Sequence, residues 1–149
     1  MNSSWLFFAV AFLVGALITA QTGTNARLKE AFGETLPAVI VSSLLGVILL
    51  ITVTLGARTP WPSLPSLVGT PWWGWLGGVL GAVYAVATVL LARELGAAPL
   101  TALIVTGQLV CSVVLDHFGW VGFTEHAAGL GRIVGCVLMV AGFVLIARS

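Results

Sequence analysis

Charge is what this sequence has least of. Six basic and five acidic side chains are spread over 149 residues, 7% of the total, and the net charge is +1. A soluble domain keeps its surface wet with roughly 25% charged residues, so a water-soluble globule is excluded. A net charge of +1 also gives no basis for a nucleic-acid interface, which needs a basic patch or stripe. Cysteine is nearly absent. Cys111 and Cys136 both sit inside apolar runs, without metal-site spacing or the context of a disulfide framework, and are read as small packing residues. No Ser/His/Asp arrangement, metal cluster or Gly-rich phosphate loop stands at a recognisable spacing. Neither an enzyme nor a cofactor is expected.

What the sequence does have is apolar length. Hydrophobic residues make up 59% of it and the mean hydropathy is +1.12, the composition of an integral membrane protein with almost no chain left for a soluble domain. The apolar runs and their punctuation divide residues 1–149, taken as a single transmembrane domain, into five spans. The first covers residues 5–26 and continues as helix to Phe32, with Gly33 as its stop. It has no Lys or Arg before Trp5, and Ile18 fits poorly three residues before a cut, so it is read as a retained span rather than a signal peptide. The second opens at Pro37, a good first helical residue, and runs to Gly56. Pro60, Pro62, Pro65 and Pro71 forbid its continuation. The third covers 72–95 and is stopped by Gly96; the fourth covers 99–118, opening at Pro99; the fifth covers 128–147. Each is near the ~20 residues that cross about 30 Å of hydrocarbon at about 1.5 Å per residue. The alternation of a membrane β-barrel is missing, so the predicted fold is an all-α bundle of five transmembrane helices.

Five crossings put the termini on opposite sides. All six tryptophans (Trp5, Trp61, Trp72, Trp73, Trp75, Trp120) then fall at one face, and Arg27, Lys29, Arg93 and Arg148 at the other, with Arg58 and Arg132 opposing them. Basic residues favour the cytoplasm and tryptophan the interface. The N-terminus is expected outside and the C-terminus in the cytoplasm. Small residues recur every four positions: Ala11, Gly15, Thr19, Gly23; Ala38, Ser42, Gly46; Gly74, Gly78; Gly77, Gly81, Ala85; Gly131, Gly135. In lipid such faces let helices approach closely, and a compact bundle is expected from them.

Polar residues inside the spans are few and ordered. Gln108, Ser112 and Asp116 stand at i, i+4 and i+8, on one helical face with Thr101 broadly below. The Gln108 amide in hydrocarbon costs several kcal/mol unless hydrogen-bonded, so it faces another helix or a wet cavity. Gln21 and Asn25 repeat the i, i+4 pattern at the end of the first span, where an ordinary interfacial helix end is an equal alternative. For Arg27 and Lys29 that alternative is the better one. Asp116, beside His117, either pairs with Arg132 at the same level or serves as a protonatable carboxylate of a proton-coupled carrier.

Four stretches carry a resemblance: GALITAQTGTNARLKEAFG (15–33), PWWGWLGGVLGAVYAVATVLLARELGAA (71–98), GQLVCSVVLDHFG (107–119) and GRIVGCVLMVAGFVLI (131–146). Together they resemble the YdcZ-like transporters, the small five-helix bacterial branch of the drug/metabolite transporter superfamily. The two stretches with glutamine are the most specific, and residues 57–70 match least. The resemblance implies an inner-membrane transporter of small solutes. It would be half of a ten-helix inverted-repeat architecture, working as a dimer by alternating access. Carried over by motif, the site positions are Gln21, Gly23, Asn25, Tyr84, Gln108, Ser112, Asp116 and His117. Of these, Gln21, Asn25, Tyr84, Gln108 and Ser112 are expected on the substrate, and Asp116 and His117 in ion or proton coupling. Inverted repeats place a site at the interface between halves, so the partner is a second copy, antiparallel or parallel, or a related five-helix chain. A non-transporting assembly subunit and a small channel remain the alternatives.

Overall fold

The computed structural model describes residues 3–148; the side chains of residues 3–5, Trp5 among them, lie outside that description. Every regular element among the described residues is helical. Six α-helices follow in order: α1 (Ser3–Phe32), α2 (Thr35–Gly56), α3 (Leu64–Val68), α4 (Leu76–Leu95), α5 (Ala97–Phe118) and α6 (Leu130–Arg148). Five segments are long and apolar enough to cross a membrane: α1, α2, the stretch Trp72–Leu95 that contains α4, α5 and α6.

Gly33 and Gly96 stop their helices as expected, at φ of 77° and 78°, and Gly119, not among the expected stops, closes α5 at φ 62°, conformations in which a Cβ would be strained. The starts differ. Pro37 and Pro99 are each the third residue of their helix rather than the first. The first four N–H groups of a helix have no intrahelical acceptor, so proline is accommodated anywhere in the first turn. The fifth long helix begins at Leu130, two residues later than expected, and the Ala128 N–H ahead of it donates to the His117 ring. The third span opens with a 3-10 turn, Trp72–Trp75. Within the Pro-rich loop, α3 is an unforeseen turn of helix, started by Pro65 and by Ser63, whose hydroxyl accepts from the Ser66 N–H at 3.4 Å.

The molecule divides into two compact units, one ending at Arg93 and the other beginning at Glu94. In the first, α1 and α2 pack as an antiparallel hairpin, and the Arg93 guanidinium joins the end of α4 to Glu30 at the end of α1. In the second, α5 and α6 form a hairpin through the turn at Trp120–Gly122. Few side chains are buried: Asn25, Ala38, Val39, Thr88, Val89, Leu100 and Thr106 among the described residues. Phe12, Leu17, Leu50, Leu80 and Leu138 are each at least 66% exposed, which in a spanning chain is the surface given to acyl chains. Threonines in the spans satisfy their hydroxyls locally. Thr19, Thr22, Thr52, Thr54 and Thr106 each donate to the carbonyl four residues back, at 2.7–3.2 Å, removing a polar group from hydrocarbon at no tertiary expense.

The small-residue ladders behave differently from expectation. A Cβ added at Gly15, Gly23, Gly46, Gly78, Gly81, Gly131 or Gly135 would meet no neighbouring heavy atom within 4 Å. Among the ladder positions described, Ala38 alone is fully buried, and Thr19, Ser42, Ala85 and Gly135 are half-buried. Spacing of small residues marks a face that can be approached, not the chain that approaches it.

Gly96 joins α4 to α5 at φ 78°, ψ 165°, a region open in practice to glycine alone. Gly96→Ala is expected to destabilise the protein by about 1–3 kcal/mol, measured as a lower midpoint in detergent-induced unfolding; an unchanged midpoint rules the strain out.

Candidate functional site

In the first unit the polar residues of α1 gather at its Phe32 end. Asn25 is buried, at 6% exposure, and borders a groove of about 630 Å³ between α1 and α2. Thr24, Arg27, Leu28, Glu30 and Ala31 of α1 line it with Ser42 and Leu45 of α2. Gln21, one turn earlier, is exposed and outside the groove, while its carbonyl accepts from the Thr24 hydroxyl at 2.9 Å. Tyr84 is half-buried on α4. Glu30 holds two guanidiniums at once, Arg27 on Oε2 and Arg93 on Oε1. The sequence reading assigned Arg27 to an ordinary helix end and did not single out Glu30. The i, i+3 spacing of Arg27 and Glu30 was the only signal present, since Arg93 reaches them through tertiary structure.

In the second unit α5 carries the stripe Gln108, Ser112, Asp116. Four residues advance a helix by about 6 Å and a little over one turn, so the three side chains form a slowly drifting line. Its course is visible in exposure: Gln108 and Ser112 are exposed and Asp116 is half-buried. Among the described residues, the side-chain amides of Gln21, Asn25 and Gln108 have no hydrogen-bond partner within the chain. The stripe therefore ends in a structured corner and begins on an open face.

That corner is a clasp between the end of α5 and the start of α6. Arg132 Nη1 donates to Asp116 Oδ2 at 3.3 Å and to the His126 carbonyl at 3.2 Å, so the ion pair weighed for Asp116 does form. The His126 N–H donates to the Asp116 carbonyl at 2.7 Å. The Ala128 N–H donates to His117 Nδ1 at 3.2 Å, which requires Nδ1 to be unprotonated. His126 Nδ1 lies 2.9 Å from the Thr124 carbonyl and must donate to it. Phe118 stacks on Trp120 at 4.8 Å and meets the His117 ring edge-on at 4.7 Å. Trp61, Trp72, Trp73, Trp75 and Trp120 are all exposed.

Known proteins match this chain over its whole extent. The family model described as "Putative inner membrane exporter, YdcZ" matches residues 6–145. The inner membrane protein YdcZ of Escherichia coli (strain K12) is 30% identical over 151 residues, covering 99% of this chain and 98% of that one. No solved structure matches. The match includes all five spanning segments and both polar stripes, and the chain belongs to the YdcZ family of inner-membrane transport proteins.

Proposed function

We propose that the chain acts as one transmembrane domain of a small-solute carrier, built from two copies or from one copy and a related five-helix chain, and working by alternating access. The observation that carries this is Gln108. It stands about 16 Å along α5 from its first residue, near the middle of a segment able to cross the membrane, and its amide is exposed. An amide facing acyl chains there costs several kcal/mol. That face of α5 needs a polar neighbour, and a second chain enclosing a wet cavity supplies one. The uncovered glycine faces support close approach by such a chain.

In this reading Gln108 and Gln21 contact the solute, Asn25 and Ser112 support them, and Tyr84 contributes a wall. Asp116 and His117 couple transport to an ion or proton. The N-terminus lies outside and the C-terminus in the cytoplasm, as the basic residues favour. Two such units have the span count of a ten-helix inverted-repeat transporter. In an antiparallel pair, with one member inverted, Gln21 and Asn25 of one share a depth with the other's Asp116 and His117. The six tryptophans gathered at one face weigh against inverting this chain and favour an inverted relative or a parallel copy.

The test is counterflow in proteoliposomes across neutral, anionic and cationic solutes, with the mass of the detergent-solubilised protein measured alongside. Saturable exchange by a species of twice the chain mass is expected. Flux that never saturates identifies a channel. A stable complex that moves nothing identifies an assembly subunit.

A further inference from the structure

The α1–α2 hairpin holds a buried amide that no other group of the chain satisfies. Asn25 stands seven residues before Phe32, the last residue of α1, and Ser42 seven residues after Thr35, the first of α2. At about 1.5 Å per residue both lie roughly 10 Å from the turn, at one level of the antiparallel pair, and both line its groove. Asn25 is 6% exposed, and neither its amide nor the Ser42 hydroxyl has a hydrogen-bond partner within the chain. The little surface left to Asn25 includes both amide atoms, because among the described residues no side-chain nitrogen or oxygen is at once covered and unpaired. They open on the groove, whose volume of about 630 Å³ lies within the roughly 300–1,000 Å³ of small-molecule sites. Leu28, Ala31 and Leu45 make the rest of its wall apolar. Its charges are closed on themselves. Arg27 and Glu30, the cation and the anion of the lining, pair with each other, and at these helix ends Arg27, Lys29 and Arg93 are matched by Glu30, Glu34 and Glu94. Arg27 and Glu30 also stand about 200° and 140° around α1 from Asn25. A charged head group at the level of Asn25 and Ser42 therefore meets no counter-charge, and an unpaired charge away from water is costly.

We propose that this groove binds an uncharged solute with an apolar body and a polar head that both donates and accepts hydrogen bonds, as an amide or an alcohol does. The Asn25 carboxamide offers donors and an acceptor, and the Ser42 hydroxyl offers one of each, so such a head is met from both helices at once. The body lies along Leu28 and Leu45. A carboxylate only accepts and leaves the Asn25 oxygen unpaired; an ammonium only donates and leaves the Asn25 nitrogen unpaired. This assignment rests on the carrier reading above and names its substrate class, with Asn25 itself touching the solute.

Benzamide, benzoate and benzylamine share a ring and present a neutral, an anionic and a cationic head group. Isothermal titration of the full chain in phosphatidylcholine nanodiscs, referenced to protein-free nanodiscs, is expected to show benzamide binding at least about tenfold tighter than either ion. Ser42→Ala is expected to weaken benzamide about three- to tenfold, the loss of one hydrogen bond, and Asn25→Leu about tenfold or more, the loss of two. Asn25→Asp keeps the shape, adds a carboxylate, and is expected to move the preference to benzylamine, a reversal that a purely structural Asn25 does not produce. Arg27→Gln is expected to leave benzamide affinity unchanged. Should Asn25→Leu fail to insert, Ser42→Ala and Asn25→Asp carry the test. Either ion bound as tightly as benzamide, or benzamide binding that depends on Arg27 and is indifferent to Asn25 and Ser42, overturns the assignment. So does a wild type that binds no benzamide while Asn25→Leu lowers the mass of the solubilised protein, because the amide then meets a helix of a second chain. If another solute shows saturable counterflow while benzamide neither binds nor moves, the neutral-solute assignment falls and the carrier stands. If benzamide binds and no solute moves, the site stands and the carrier falls.

Discussion

Gln108→Leu is expected to lower the transport rate about a hundredfold while leaving the helices and their assembly intact. The magnitude follows from what the amide can do. A carboxamide offers two donors and an acceptor, and two hydrogen bonds to a solute, at about 1–1.5 kcal/mol each, correspond to roughly two orders of magnitude. The direction of the stability change is the opposite. Gln108 is exposed midway along α5, and leucine there suits hydrocarbon better than an amide does. A variant that inserts well, runs at the wild-type mass and fails to exchange solute separates a binding amide from an assembly amide.

The assembly alternative makes a different quantitative claim. An interhelical hydrogen bond in a membrane is worth about 0.6–2 kcal/mol, a shift of roughly three- to thirtyfold in a dimer dissociation constant. If Gln108→Leu weakens association by that amount and wild-type vesicles move nothing, the glutamine is a fastening. If association is unchanged and exchange persists, Gln108 touches neither partner nor solute, and the carrier loses the observation it stands on.

How much of this was legible in the sequence depends on the range of the interaction involved. Span number and helix stops are local. Hydropathy and two glycines, Gly33 and Gly96, marked them, and both glycines do sit at positive φ, as does Gly119 at the end of α5. Helix starts were less legible because Pro37 and Pro99 are compatible with any first-turn position, and both helices begin two residues earlier than the prolines suggested. The Asp116–Arg132 pair was readable because both residues flank one turn between two helices. The Glu30–Arg93 pair was not, since nothing in either residue's neighbourhood says which distant cation will arrive. The glycine ladders were over-read as intrachain packing for the same reason: a four-residue spacing describes one helix and is silent about its neighbour.

Asp116→Asn is expected to alter the transport rate by opening a clasp at one end of α5. The clasp at the end of α5 is complete in one protonation state only. Ionised Asp116 accepts from Arg132, and a His117 ring unprotonated at Nδ1 accepts from the Ala128 N–H. A proton on the carboxyl removes the charge that faces Arg132, which keeps only the His126 carbonyl. A proton on the imidazole makes both ring nitrogens donors and breaks the bond to Ala128. Either loss opens the clasp. Opening frees the segment between α5 and α6 at one membrane face, the kind of movement an alternating-access cycle requires. Asp116→Asn, which takes away the charge that faces Arg132, is therefore expected to change the exchange rate by about tenfold or more. His117→Asn places an amide oxygen near the position of Nδ1, and is expected to keep the clasp and the wild-type rate. His117→Phe offers no acceptor to the Ala128 N–H and is expected to resemble Asp116→Asn. Asp116→Asn and His117→Phe variants that both exchange at the wild-type rate reduce the clasp to a structural fastening between two helices.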